Sequence, residues 1–285
     1  MIKYLIIASG GQEFFKQFAA LYTLIKNDFF KIENIEKIYG TSAGSMVSVI
    51  LSLKLDIDII YNYIIERPWE KLFNIDSDKL FLSYENNGIF NFDLFKKCFE
   101  PLIKLTSLKE NFTFKDLYEY SGKKIFCYAT NCNSFESKEF SLNETPDMSV
   151  LKAIYMSSSI PIIFIPLKYE NIFYIDGFFS SRFPMYEFLK DNSGCNLDEI
   201  LGVDLYIEES SKINNENMMT FNIGLLNNFL TKIRKKRYKK KIKYVLQVNA
   251  GSFIDLYKVL KTKEKRKEYF ESGKKDAEIF MKYFE

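Results

Sequence analysis

Residues 35–54 read IEKIYGTSAGSMVSVILSLK. The stretch has three parts. Residues 35–39 carry the apolar and aromatic composition of a strand, and 43–54 the pattern of a buried helix. Between them, Gly40-Thr41-Ser42-Ala43-Gly44 matches G-x-S-x-G in the strand-turn-helix setting that this pattern requires. The glycines let the chain turn sharply and let helix and strand pack closely. They leave Ser42 at the C-terminal edge of a sheet, facing a helix N-terminus whose partial positive charge favours developing negative charge. The plain alternative is a glycine-rich turn bearing a solvated serine.

Outward from this turn the same grammar repeats. Residues 2–8 are strand-like, and Ser9-Gly10-Gly11 leads into a helix predicted over 13–27, where Phe14, Phe18, Leu21, Leu24 and Ile25 recur at helical spacing. Strand-turn-helix twice over, with short links, predicts parallel strands in a βαβ unit. Residues 56–120 read as mostly helical, with aromatic faces and a break at Gly88. Residues 124–130 read as a strand, Asn131–Ser134 as a turn, and the next strand ends near Leu142. A helix over 148–158 opens at Thr145-Pro146-Asp147. A loop with Pro161 and Pro166 leads to the short strand Phe173-Tyr174-Ile175 and then Asp176-Gly177. Strands at 200–207 and 244–249, a polar Asn-rich stretch at 211–224 and a charged helix at 262–284 complete the chain. The predicted fold class is α/β: a central, mostly parallel sheet with helices on both faces, three layers in one domain. Residues 1–210 would form its main part, with 56–120 as a helical cap or insert. Residues 211–285 would add a strand and a charged helix to the same domain.

Of the 285 residues, 47% are hydrophobic and 27% charged, a globular balance that argues against a disordered chain. The 28 Phe and 19 Tyr accompany an excess of Ile, Lys and Asn, so aromatic stripes are discounted as evidence of stacking sites. There is no histidine. That excludes a Ser-His-Asp triad, a Cys-His protease and any His-ligated metal site. Acid-base chemistry near neutrality then falls to a carboxylate, Lys, Tyr or Cys. Cys98, Cys127, Cys132 and Cys195 match neither zinc-pair nor redox spacing and read as reduced thiols.

A serine hydroxyl needs a base to become a good nucleophile. The candidate is Asp176, which follows a short apolar strand and should therefore also lie at a sheet edge. Alone, Asp-Gly most often marks a simple turn. Ser9-Gly10-Gly11 ends the first strand, so parallel pairing brings it beside Ser42, where glycine N–H groups would receive the oxyanion of a tetrahedral intermediate. Alone, it reads better as a plain tight turn.

Taken together and in this order, the pieces resemble the patatin-like phospholipase family, relatives of the cytosolic phospholipase A enzymes. The resemblance runs through the glycine loop Ser9-Gly10-Gly11, the elbow Gly40-Thr41-Ser42-Ala43-Gly44 and Thr113-Phe114-Lys115-Asp116-Leu117-Tyr118. It continues through Met156-Ser157-Ser158-Ser159-Ile160-Pro161 with Phe164-Ile165-Pro166, and Tyr174-Ile175-Asp176-Gly177 with Phe183-Pro184. It implies a Ser-Asp dyad with Ser42 as nucleophile and Asp176 as base. It also implies an oxyanion site at Gly10, Gly11 and Ala43, motif glycines at Gly40, Gly44 and Gly177, and no metal or cofactor. Two stretches depart from the family pattern. Gln12, Glu13 and Phe14 stand where relatives usually carry a third glycine and a basic residue, and Phe178 follows Gly177.

The expected activity is hydrolysis of carboxylic esters of phospholipids or related lipids. The rival readings are a non-catalytic lipid-binding or membrane-targeting protein of this fold, and an acyltransferase. Net charge is +3, yet residues 232–243 hold Lys232, Arg234, Lys235, Lys236, Arg237, Lys239, Lys240, Lys241 and Lys243. This run reads as a solvated helix face or as a contact with an anionic membrane surface. Nucleic acid is the weakest partner reading, because no recognised nucleic-acid motif accompanies the run. The first apolar stretch is too short for an export signal, and Ile160–Pro166 falls far below the roughly 18 residues of a membrane span. The expected location is cytoplasmic, with peripheral membrane contact.

Overall fold

The computed structural model describes residues 1–75, 83–206, 242–251 and 255–284, with Phe221 and Leu225. Apart from Ile242 and Lys243, the basic run at 232–243 lies outside the described residues, as does the polar stretch 211–224 apart from Phe221. The strands are β1 (Tyr4–Ile7), β2 (Lys37–Thr41), β3 (Gly88–Phe90), β4 (Lys124–Asn131), β5 (Ser137–Ser141), β6 (Ile162–Phe164), β7 (Leu167–Tyr169), β8 (Ile172–Asp176), β9 (Ile200–Tyr206) and β10 (Tyr244–Asn249). The main sheet runs β10-β9-β1-β2-β4-β8-β7, with β5 also on β4. Its first five strands are mutually parallel, whereas β5, β7 and β8 pair antiparallel.

Strand side chains alternate between two cores. Leu5, Ile7, Ile38 and Cys127 face the larger one, with α1 (Phe14–Lys26), α2 (Ala43–Ser52) and the helix Val150–Ser157. Ile6, Tyr39, Phe126 and Tyr128 face a smaller one closed by Met185 and Phe188 of the helix Met185–Asp191. Burial on both faces explains why these strands read as continuous apolar runs. The mostly parallel sheet between helical layers is the predicted fold class.

Some local expectations change. β6 and β7 occupy the stretch read as a loop, and β3, from the 56–120 stretch, pairs with β6 in a separate two-stranded sheet. Three-residue strands are too short to display a period-two pattern. The helix read over 148–158 spans Val150–Ser157 with Ser149 at its N-cap. The chain ends on two helices, Asp255–Lys261 and Lys263–Met281, divided at Thr262, whose hydroxyl accepts from Lys265 N. Among the described residues, no helix is long and apolar enough to cross a membrane.

Candidate active site

β4 decides the geometry. Phe126 pairs with both Tyr39 of β2 and Ser141 of β5, so those two strands flank β4 on opposite edges. Ala129 pairs with both Lys138 of β5 and Asp176 of β8. Strands β2 and β8 therefore share one edge of β4 and abut end to end. The last residue of β2, Thr41, lies opposite Tyr128, and the last residue of β8, Asp176, lies opposite Ala129. Ser42 leaves β2 where Asp176 arrives, although 134 positions separate them in sequence.

Ser42 is the N-cap of α2 with φ 54° and ψ −122°, a left-handed conformation unusual for a residue with a side chain. The neighbours hold it there. Its N–H donates to Ser157 Oγ at 2.8 Å, and that hydroxyl donates to the Tyr128 carbonyl at 2.6 Å. Its carbonyl accepts from the Ser45 and Met46 N–H groups. Gly40 is buried within β2. Gly44 lets α2 lie against β1, because a Cβ there would stand 2.3 Å from the Ile7 carbonyl oxygen.

Ser42 Oγ donates to Asp176 Oδ2 at 2.6 Å, and the two residues are only 3% and 2% exposed. Asp176 is fixed at every other point: Oδ1 accepts from Phe178 N at 2.8 Å, its N–H donates to the Ser159 carbonyl, and its carbonyl accepts from Thr130 Oγ1. Gly177 is required by close approach, since a Cβ would meet the Tyr128 carbonyl oxygen at 2.1 Å.

The glycine loop lies beside the pair. Gly10 precedes a short 3-10 turn, Gly11–Glu13, and Gly11 lines the same cavity as Ser42. Ala43 is the first residue of α2, a position whose N–H has no acceptor within the helix. The loop is tied down from outside: Gln17 Nε2 donates to the Ala8 carbonyl at 2.8 Å, and the buried Glu13 carboxylate accepts from Gly251 N. Lys16 Nζ donates to the Asn249 carbonyl at 2.7 Å.

The cavity, about 140 Å³, is almost wholly apolar. Its walls include Tyr63, Trp69, Phe73, Phe95 and Phe99 from the aromatic 56–105 stretch, together with Leu256 and Leu260. On sequence alone the 56–105 aromatics read either as an apolar cap over an acyl-chain groove or as ordinary core packing, and the general Phe and Tyr excess singled out none of them as a binding residue. Leu256 and Leu260 were passed over, although their i,i+4 spacing was a readable signal. Cys98 also lines the cavity, and burial pushes its thiol up to about 12, which keeps it protonated near neutrality.

Comparison with known proteins agrees with this architecture. Residues 5–189 match the family model described as patatin-like phospholipase. The chain is 33% identical over 157 residues to a probable lipid hydrolase, 463L, of Invertebrate iridescent virus 6, covering 54% of this chain and 53% of that protein. It is 29% identical over 202 residues to the uncharacterized protein R571 of Acanthamoeba polyphaga mimivirus, covering 71% and 65%. The matches thus span roughly half to two thirds of these relatives' own lengths. Among solved structures, VipD from Legionella pneumophila superimposes with a TM-score of 0.57 at 16% identity, over 99% of this chain and 67% of that one, a likeness of fold.

Proposed function

Because this chain belongs to the patatin-like phospholipase family, we propose that it is a lipid acyl hydrolase of the phospholipase A type, with Ser42 as nucleophile and Asp176 as base. The observation that carries the reading is the 2.6 Å contact from Ser42 Oγ to Asp176 Oδ2 at an apolar cavity. A carboxylate at that distance can accept the hydroxyl proton as the oxygen attacks. The apolar walls suit an acyl chain, and they leave the ester beside Ser42.

In the reaction, Ser42 Oγ attacks the ester carbonyl carbon while its proton passes to Asp176. Negative charge develops on the carbonyl oxygen. Backbone N–H groups of Gly10, Gly11 and Ala43, with the α2 N-terminus behind them, stabilise that oxyanion. Collapse breaks the bond to the alcohol, which leaves with the proton from Asp176, and the acyl group stays on Ser42. Asp176 then deprotonates a water, which attacks the acyl-enzyme. The second collapse releases the fatty acid and returns the proton to Ser42.

The test is incubation of the pure chain with mixed phospholipids and neutral lipids, followed by mass spectrometry of released fatty acids. The parent releases them, and Ser42→Ala and Asp176→Asn each lower turnover at least about 10³-fold without loss of folding. Near-parental turnover by either variant overturns the dyad. Acyl products on an added alcohol in place of free acid would redirect the reading to acyl transfer.

A further inference from the structure

Ser157, Ser158 and Ser159 are consecutive, yet their hydroxyls have different fates. Ser157 Oγ bridges the Tyr128 carbonyl and the Ser42 N–H. Ser159 Oγ donates to the Tyr155 carbonyl at 2.8 Å. Ser158 is 5% exposed, and its Oγ is buried without a hydrogen-bond partner among the described residues. Ser158 also lines the cavity that holds Ser42 and Gly11.

The other polar side-chain atoms of that lining are engaged. Ser42 Oγ donates to Asp176, Tyr63 OH to the Cys98 carbonyl at 2.6 Å, Trp69 Nε1 to the Ile64 carbonyl at 2.8 Å, and Cys98 Sγ to the Leu94 carbonyl at 3.5 Å. A buried hydroxyl left unpaired weakens a fold, and such exceptions call for an explanation. An acyl chain in the cavity needs little from its walls beyond apolar surface. The ester at its end has oxygens that lose water on entering and need a donor.

We infer that Ser158 Oγ donates a hydrogen bond to the carboxylic ester oxygen of the bound substrate. The assignment rests on reading the cavity as an acyl-ester site. Ser158 is thus a substrate-contacting residue, distinct from the dyad and from the backbone oxyanion donors. The bonds of its neighbours hold it in place: Ser157 and Ser159 fix the chain on either side, and the Ser159 carbonyl is itself tied to Asp176 N.

A hydroxyl serving the fold and one serving the ligand respond oppositely to removal. The experiment compares the full chain with Ser158→Ala, using p-nitrophenyl hexanoate as a soluble ester, and measures the urea midpoint of each protein. The inference predicts that kcat/KM falls about tenfold, the net worth of one hydrogen bond, while the midpoint stays unchanged or rises. It is overturned if kcat/KM stays within about twofold of the parent. It is equally overturned if Ser158→Ala fails to fold or has a lowered midpoint, because the hydroxyl then supports the fold. Ser42→Ala, assayed alongside, separates the two levels of the argument. An inactive Ser42→Ala with a fully active Ser158→Ala removes the Ser158 assignment alone. An active Ser42→Ala removes the hydrolase reading, and this inference with it.

Discussion

Ser42 and Asp176 were both legible in the sequence, for different reasons. Ser42 carried its own context, a strand ending in Gly40 and a helix beginning at Ala43. Asp176 was legible only by elimination and resemblance, since Asp-Gly alone marks a turn. The serine run 157–159 was quoted as a motif, but its division of labour was not readable. Three identical side chains acquire different partners only through the exact pose of a helix end against β4 and β8. That division predicts contrasting phenotypes. Ser157→Ala strips the Ser42 N–H and the Tyr128 carbonyl of a buried partner, so it lowers unfolding free energy by about 2 kcal/mol. A urea titration that finds Ser157→Ala as stable as the parent contradicts the bridging role.

Among the elements, β4 matters most, because its two edges receive β2, β5 and β8. The sequence located all four strands, yet gave no sign that β2 and β8 would meet end to end. Strand direction and order are long-range properties, and a five-residue apolar run is compatible with either direction. The β4–β5 pairing also buries a titratable group. Glu139 accepts hydroxyl hydrogen bonds from Ser141 at 2.7 Å and Tyr128 at 3.1 Å. Burial nevertheless dominates and raises its carboxyl above the ordinary glutamate range, with nearby Asp191 adding to the rise. The folded state then binds this proton more tightly than the unfolded chain does. Its contribution to stability is fullest below the unfolded pKa and is lost as pH rises through the raised folded value. Glu139→Gln should therefore gain in urea midpoint relative to the parent on going from pH 4 to pH 7. A difference that does not change with pH contradicts this account.

At the scale of the whole molecule, the sheet and its two cores form a rigid frame that carries chemistry at one edge. Two distant parts of the chain complete the site. The 56–120 region supplies most of the aromatic walls, and the C-terminal part supplies Leu256 and Leu260 together with the Gly251 N–H that holds Glu13. These C-terminal residues lie beyond the segment that matches the family model, residues 5–189. The acidic residue near the basic position of relatives thus has a structural partner, which the local sequence around Glu13 had no means of revealing. Fold class was readable because alternation and turn chemistry are local. Cavity composition was not, because it depends on which faces of remote helices converge.

The most direct measurement is labelling of the intact chain with an alkyl fluorophosphonate, with the modified peptide located by mass spectrometry and the rate compared in Asp176→Asn. The account predicts a single adduct on Ser42, formed at least about 100-fold more slowly when the carboxylate becomes an amide. An adduct on another residue, no adduct in the presence of lipid vesicles, or a parental rate in Asp176→Asn would contradict it.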